Sequence, residues 1–340
     1  MAIGSGLAGQ IGIAAETVVG TAATVTRFHE FTKESLQLTA NSIQGKGLHA
    51  GGQYDRLSRH VRTTRTVAGA VDMDVATKQM GLLLAHMLGS SAVPTQIATT
   101  TAYQQVHIPG PLAGKSLTVQ KGVPQASDRT VKAYTYRGAK VTEWTMSNQV
   151  DQILTLSVSL DAWDEDSVTT LAAASYPVAD VFHFAQAVVK LGGTASTNSG
   201  ITSISGGTAV SGLSGFELKG SNPLAVDRFF LGSAGVKAEQ LENDYRSLAL
   251  SLDGEFDKAT LYDLFALDTT TAVQITYTGA LIEAGHNFVL DVILPAVRWT
   301  AGANVVDGPD VVPTKLDGMA LDDQATTPIQ ITYTSTDTTL

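Results

Sequence analysis

The chain contains no cysteine. Disulfides, thiolate nucleophiles and cysteine-held zinc or iron–sulfur centres are therefore excluded. Charge is also scarce: 16% of the 340 residues are charged, against about 25% in an average soluble domain. So little charge suits a chain that hides much of its surface in an assembly, and equally a β protein rich in Thr, Ala, Ser and Gly. No run approaches the roughly 20 apolar residues of a membrane span. The longest apolar helical stretch, residues 80–88, is too short. The opening Met1-Ala2-Ile3-Gly4-Ser5-Gly6 lacks the basic region and apolar run of a signal peptide. What the chain does have is 44% apolar residues, enough for real cores, and a length that fits about two domains of roughly 150 residues each.

The net charge of −10 is uneven. Residues 1–175 hold 14 Lys/Arg and 13 Asp/Glu, and residues 176–340 hold 8 and 19. A protein that grips DNA carries a basic patch for phosphate contacts. Here one basic stretch stands out: Arg56, Arg59, Arg62 and Arg65 recur at every third position, with His60 among them.

The hydrophobic pattern is mostly that of strands. Residues 152–160 alternate, with Leu154, Leu156, Val158 and Leu160 on one side and Ile153, Thr155, Ser157 and Ser159 on the other. Period two marks a half-buried strand. Residues 66–75 and 247–256 read the same way, and further strands are expected at 273–278, 288–294 and 329–334. Helices are few. Thr77 is placed to cap one with the stripe Met80, Leu83, Leu84, Met87, ended by Gly89. Asp257 is placed to cap another with Leu261, Leu264 and Phe265.

Those helices expose a repeat. At a shift of 181 residues Arg65 meets Arg246, Ala68 meets Ala249, Asp72 meets Asp253, Asp74 meets Glu255 and Leu83 meets Leu264. The order of strand, acidic pair and amphipathic helix recurs although identities are sparse. We read two copies of one β domain, each a sheet covered by a helix. The first, with an N-terminal arm, spans 1–175 and the second 176–340, with a junction in 165–181. Residues 192–215, rich in Gly, Ser and Thr, keep apolar positions and read as long hairpin loops.

Chemical motifs are weak. Gly4-Ser5-Gly6-Leu7-Ala8-Gly9 fits GxGxxG, but only three residues precede it, so no strand can feed it. Gly114-Lys115-Ser116 lacks the first P-loop glycine, Pro109 standing in its place. Asp161, Asp164, Glu165 and Asp166 lack the glycine and terminal glutamate of a calcium loop and read as a solvated turn between domains. The seven histidines form no HExxH, His86 on the first helix is expected to be partly buried, and no GxSxG elbow occurs. No catalytic residue, cofactor or metal site is expected.

Four segments, in order, are similar to the tail tube proteins of long-tailed bacteriophages. They are Gly12-Ile13-Ala14-Ala15-Glu16-Thr17 with Arg27-Phe28; Arg137-Gly138-Ala139-Lys140-Val141-Thr142-Glu143-Trp144; Asp227-Arg228-Phe229-Phe230-Leu231-Gly232-Ser233 with Glu239-Gln240-Leu241-Glu242-Asn243; and Leu321-Asp322-Asp323 with Pro328-Ile329-Gln330-Ile331-Thr332-Tyr333. The resemblance implies a mainly β fold: two tail-tube-type β-sandwich domains, each with a flanking helix, in a ring whose inner strands close one barrel. It implies a structural virion protein of a non-contractile tail (a siphovirus), assembled in the host bacterial cytoplasm and stacked into a tube for genome ejection. The implied partners are further copies of itself, as trimeric pseudo-hexamers or hexamers. The tape measure protein and double-stranded DNA occupy the lumen without sequence-specific binding, and tail terminator and tail tip proteins close the ends. No membrane is involved.

Two sets of residues follow. Ala68, Ala70, Asp72 and Asp74, with Ala249, Ser251, Asp253 and Glu255, are opposite the apolar strand faces and are candidates to line the lumen, where small side chains leave room and carboxylates repel DNA. Thr155, Ser157, Ser159 and Asp161 are placed to join them. Arg56, Arg59 and Arg62 are candidates to meet Glu239, Glu242 and Asp244 across subunit or ring contacts, where opposite charge sets register; contact of the arginines with DNA is the alternative. Competing functions are a tail terminator, a contractile-tail inner tube or a carbohydrate-binding adhesin. The adhesin would want clustered aromatics, and Trp144, Trp163 and Trp299 are scattered.

Overall fold

The computed structural model describes residues 4–256 and 260–340. In the first half of the chain lie β1 (Gln10–Ala15), β2 (Arg27–His29), β3 (Lys33–Glu34), β4 (Gln37–Gln44), β5 (His60–Asp74), helix α1 (Gly81–Leu88), β6 (Thr95–Gln96), β7 (Tyr103–His107), β8 (Leu117–Pro124), β9 (Val131–Gln149), β10 (Thr155–Ala162) and β11 (Asp164–Asp166). The second half holds β12 (Ala187–Leu191), β13 (Thr194–Asn198), β14 (Ile201–Ser205), β15 (Thr208–Ala209), β16 (Leu213–Ser221), β17 (Ser247–Glu255), helix α2 (Thr260–Ala266), β18 (Thr271–Glu283), β19 (His286–Asn304), β20 (Pro313–Ala320) and β21 (Gln330–Ser335). The protein is mainly β, and no described helix is long and apolar enough to cross a membrane.

One sheet runs through both halves, antiparallel at every step, in the order β4, β5, β10, β9, β16, β17, β20, β19. One face packs on the core with Val67, Val71, Leu156, Val158, Trp144, Leu218, Leu250, Leu252 and Leu316, all buried. The strict alternation in β10 and β17 follows from this one-sided burial, since successive side chains point to opposite faces. A second layer closes the core. In the first half it is β2, β1, β8 and the start of β9, with β11 on its other side. In the second half β12, β18 and the start of β19 are joined by β21 and β7. The core is continuous from one half to the other.

The two 19-residue strands β9 and β19 do the same work. Each starts in the second layer and ends in the long sheet. Each bulges where it crosses: at Thr142, between the pairs Leu160–Val141 and Ser159–Glu143, and at Thr300, between Trp299–Gly318 and Ala301–Asp317. A bulge adds an unpaired residue and bends its strand. Both hydroxyls then bond across it, Thr142 to the Ser159 carbonyl at 3.3 Å and Thr300 to the Asp317 carbonyl at 3.2 Å.

The expected strands are present, with shifted ends: β10 begins at Thr155 and β5 already at His60. Helix α1 ends as expected at Gly89, left-handed at φ 73°, where glycine avoids the Cβ penalty. Its start differs. Met80 holds the N-cap position without a side-chain bond, and the Thr77 hydroxyl instead accepts the Asp180 N–H at 3.1 Å, tying down the link between the halves. Leu82, Ala85 and Leu88 are buried along with the expected stripe, so the helix is enclosed nearly all round. Helix α2 keeps its half-buried stripe of Leu261, Leu264 and Phe265; Asp257, the expected cap, lies outside the described residues. Residues 194–205 form the β13–β14 hairpin, as read for that loop-rich stretch.

Candidate functional surfaces

The outward face of the long sheet carries the first set of candidate residues. Ala68, Ala70, Asp72 and Asp74 of β5 alternate with buried Val67, Val71 and Met73. Ala249, Ser251, Asp253 and Glu255 of β17 alternate with buried Leu250 and Leu252. The ladder links the two groups through Ser157 and Ser159 of β10, Glu143 and Thr145 of β9, and Glu217 and Lys219 of β16. Both sets therefore share one continuous face. Its side chains are small or polar and bonded to one another: Ser157 donates to Asp72 at 2.5 Å and Ser251 to Asp317 at 2.6 Å. Asp72, Asp74, Glu143, Glu217, Asp253, Glu255 and Asp317 outnumber Lys219 and Lys315 there, and the closest ionic contacts of these lysines are long, 3.6 Å to Glu143 and 3.8 Å to Asp317.

Asp161 departs from the expectation. It follows the same alternation and pairs with Ala68, yet it is buried. The segment between β16 and β17, residues 222–246, folds over that end of the face. A concavity of about 600 Å³ remains beside it, lined by Ala68, Ser159, Asp161, Asn222 and Leu224 among others. Lys237 of this segment reaches both Asp161 oxygens at 2.6 and 2.7 Å, with its own side chain fully buried. Gln240 donates to the same carboxylate at 2.8 Å and accepts from the Trp163 indole at 2.9 Å. Burial pushes the Asp161 carboxyl up from its ordinary value, against the pull of Lys237. Asp164 is buried too and held by Arg65 at 2.7 Å. Asp161 and Asp164 are thus buried in ion pairs with Lys237, Arg65 and Arg137, and of the run 161–166 read as a solvated turn only Asp166 is exposed. Among the described residues no group of His, Asp and Glu is arranged to hold a metal ion.

The arginines lie on a projecting arm. Residues 40–64 form a hairpin from β4 and the first part of β5, and nearly all of them are exposed. Arg56, Arg59 and Arg62 extend into solvent there, beside Leu48, Tyr54 and Leu57, each more than four-fifths exposed. Arg65, where the arm meets the body, is the one arginine of the series anchored internally. The acidic residues thought to face them are partly engaged. Glu239 accepts from buried Lys140 at 2.7 Å and from the Gly114 N–H at 2.6 Å. Glu242 pairs with Arg246, which also donates to the carbonyls of Leu88 and Gly110 at 3.0 and 2.7 Å. Asp244 is exposed and has no ionic partner among the described residues. Nothing brings the arm and Glu239, Glu242 and Asp244 together within one chain.

Residues 6–320 match the model of the phage tail tube protein family. The chain belongs to that family. No curated protein matches it. The tail tube is a structural part of the virion tail, and its members build it by self-assembly. The residues that sequence reasoning missed here are Lys237 and Gln240, whose partners lie more than 70 positions away.

Proposed function

We propose that this tail tube protein stacks as rings of three chains into the hollow tube of a non-contractile phage tail, and that the acidic face of its long sheet lines the channel through which the genome leaves. The observation that carries the reading is that face: eight strands, apolar inward and acidic outward, ending in unpaired edges on β4 and on the last part of β19 among the described residues. Exposed edges invite aggregation unless another chain covers them, and closure into a barrel removes them. The matched bulges at Thr142 and Thr300, with the same hydroxyl-to-carbonyl bond, support a duplicated domain. One chain then does the work of two single-domain subunits, and three chains make a pseudo-hexamer.

Magnitude favours three over six. Strands lie about 4.8 Å apart and tilt by roughly 40° in a barrel, so three copies of the sheet enclose a backbone ring about 50 Å across. Side chains narrow it, leaving a bore that passes a DNA duplex with room for water. Six copies would double the width. Within this channel Ala68, Ala70, Asp72, Asp74, Ala249, Ser251, Asp253 and Glu255 face the DNA; the small side chains leave room and the four carboxylates repel it. Each attractive phosphate contact would add salt-dependent affinity and slow transit.

The arm supplies the contacts between subunits. An isolated two-stranded ribbon is marginally stable in water, and this one bares Leu48, Tyr54 and Leu57 beside its arginines. In this reading Arg56, Arg59 and Arg62 dock on a neighbouring subunit. Glu239 and Glu242 keep segment 222–246 rigid through their internal ion pairs, leaving Asp244 free to meet an arm. The opposite end of the sheet offers Asp151, Glu255 and Asp310 at strand ends and turns, so successive rings present basic to acidic surfaces. The tape measure protein fills the bore before DNA does, and terminator and tip proteins cap the stack. Imaging purified protein by negative-stain electron microscopy tests the reading. Long hollow tubes are expected; a persistent monomer, or compact single rings under every ionic condition, would contradict it.

A further inference from the structure

Within the long sheet the two halves are joined where β9 pairs with β16. At this junction Trp144 lies opposite Gly220, Glu143 opposite Ser221 and Thr145 opposite Lys219. The Asn222 N–H closes the ladder on the Thr142 carbonyl at 2.7 Å. Each strand has a counterpart that lacks such a partner. The bulge aligns β9 with β19: Thr142 corresponds to Thr300, Glu143 to Ala301, Trp144 to Gly302 and Thr145 to Ala303. Pairing with β5 and β17 aligns β16 with β4: Lys219 lies opposite Ala249 as Gln37 lies opposite Ala68, so Ser221 corresponds to Thr39 and Gly220 to Leu38.

The geometry points to β19 of one chain pairing antiparallel with β4 of a second copy, in the register that β9 and β16 already use. Gly302 then lies opposite Leu38, Ala301 opposite Thr39 and Ala303 opposite Gln37 of the neighbour. The inference rests on the ring proposed above and specifies its seam.

Two features of the edges fit this seam. First, the core side of the seam is apolar, since Leu38 and Phe265 both pack against the core. Within the chain the bulky Trp144 is accommodated by Gly220, where an added Cβ would sit 2.2 Å from the indole. At the seam Gly302 is covered by Phe265 of α2, 3.1 Å from the Cβ it would carry, so Leu38 of the neighbour meets that apolar surface and not an open slot. Second, the outward side of the seam stays small and uncharged, as Ala301, Ala303, Gln37 and Thr39 continue the polar face without a step. Pairing begins at Leu38, because the Leu36 carbonyl already accepts from Lys121 and from the Tyr136 hydroxyl.

The absence of native cysteine makes the seam directly readable. Residues directly opposite in a non-hydrogen-bonded antiparallel pair have Cα atoms about 4.5 Å apart, within disulfide reach. Tubes of the Thr39→Cys/Ala301→Cys variant are oxidised and run on a denaturing gel. A ladder ending at covalent trimers is expected, with none from either single variant. Glu143→Cys/Ser221→Cys, the same geometry inside one chain, is the positive control and must cross-link as monomer. Hollow tubes of normal diameter that yield only monomer on oxidation, with the control cross-linked, overturn the seam while leaving the tube reading standing. Failure of the unmodified protein to form tubes counts against the tube reading itself. The neighbouring pair Gln37→Cys/Ala303→Cys repeats the test at a second point of the register.

Discussion

At the scale of single residues the protein depends on a few buried charges. Lys237 and Asp161 neutralise each other under the 222–246 segment. Removing one partner of such a pair strands the other without water, which costs about 3–5 kcal/mol, whereas replacing both with apolar groups is often neutral. Lys237→Met is therefore expected to lower the urea midpoint sharply and Lys237→Met/Asp161→Leu to recover most of it; equal loss in both variants would count against the pair. His107 is buried as well, but as the neutral ring. It lies on β7 with neither ring nitrogen bonded, and burial pushes its pKa from 6.5 to about 3. The unfolded chain takes up that proton first, so the stability is whole above about pH 6.5 and drains as pH falls towards 3. His29, lowered to about 4 by burial and by Arg27, acts in the same direction. His107→Leu should make the acid limb of stability shallower by up to about 1.4 kcal/mol per pH unit, read from urea midpoints between pH 7 and pH 4. An unchanged slope would mean that His107 is protonated in the folded chain. Asp161 shows where residue-level reading fails: alternation assigns it correctly to the outward face, but nothing local announces a segment from 70 positions downstream that covers it.

At the scale of elements, what was legible and what was not divides along burial. β10, β17 and the outward face they share could be read because one side is apolar and the other is not, and period two survives any tertiary context. The arm could not. With both faces exposed, residues 40–64 carry no alternation, and only the spacing of Arg56, Arg59 and Arg62 marked them. Helix α1 was located by its stripe but not its all-round burial, which depends on the second layer packed against it. Two predictions belong here. Gly220→Ala places a Cβ against the Trp144 ring and is expected to cost about 1–3 kcal/mol as overpacking, measured by thermal melting of the unassembled chain. Reversing Arg56, Arg59 and Arg62 to Glu touches no internal partner of those side chains, so melting should shift little while tube assembly, followed by light scattering, fails. Normal assembly of that variant would remove the arm from the contacts between subunits.

At the scale of the whole molecule, the long sheet is what the proposed DNA conduit is built from. Apolar residues on one face hold two halves in a single core. In the tube we propose, carboxylates on the other repel phosphate, and free edges recruit further copies. Family membership establishes a tail tube protein; the placement of its faces and edges argues how the tube is built. A reconstruction of assembled tubes by electron cryomicroscopy tests this most directly. The account predicts three chains per ring, a wall of continuous antiparallel strands, and Asp72 and Asp253 pointing into the bore. Six chains per ring, or a tube whose bore is lined by another surface while the acidic face looks outward, would contradict it.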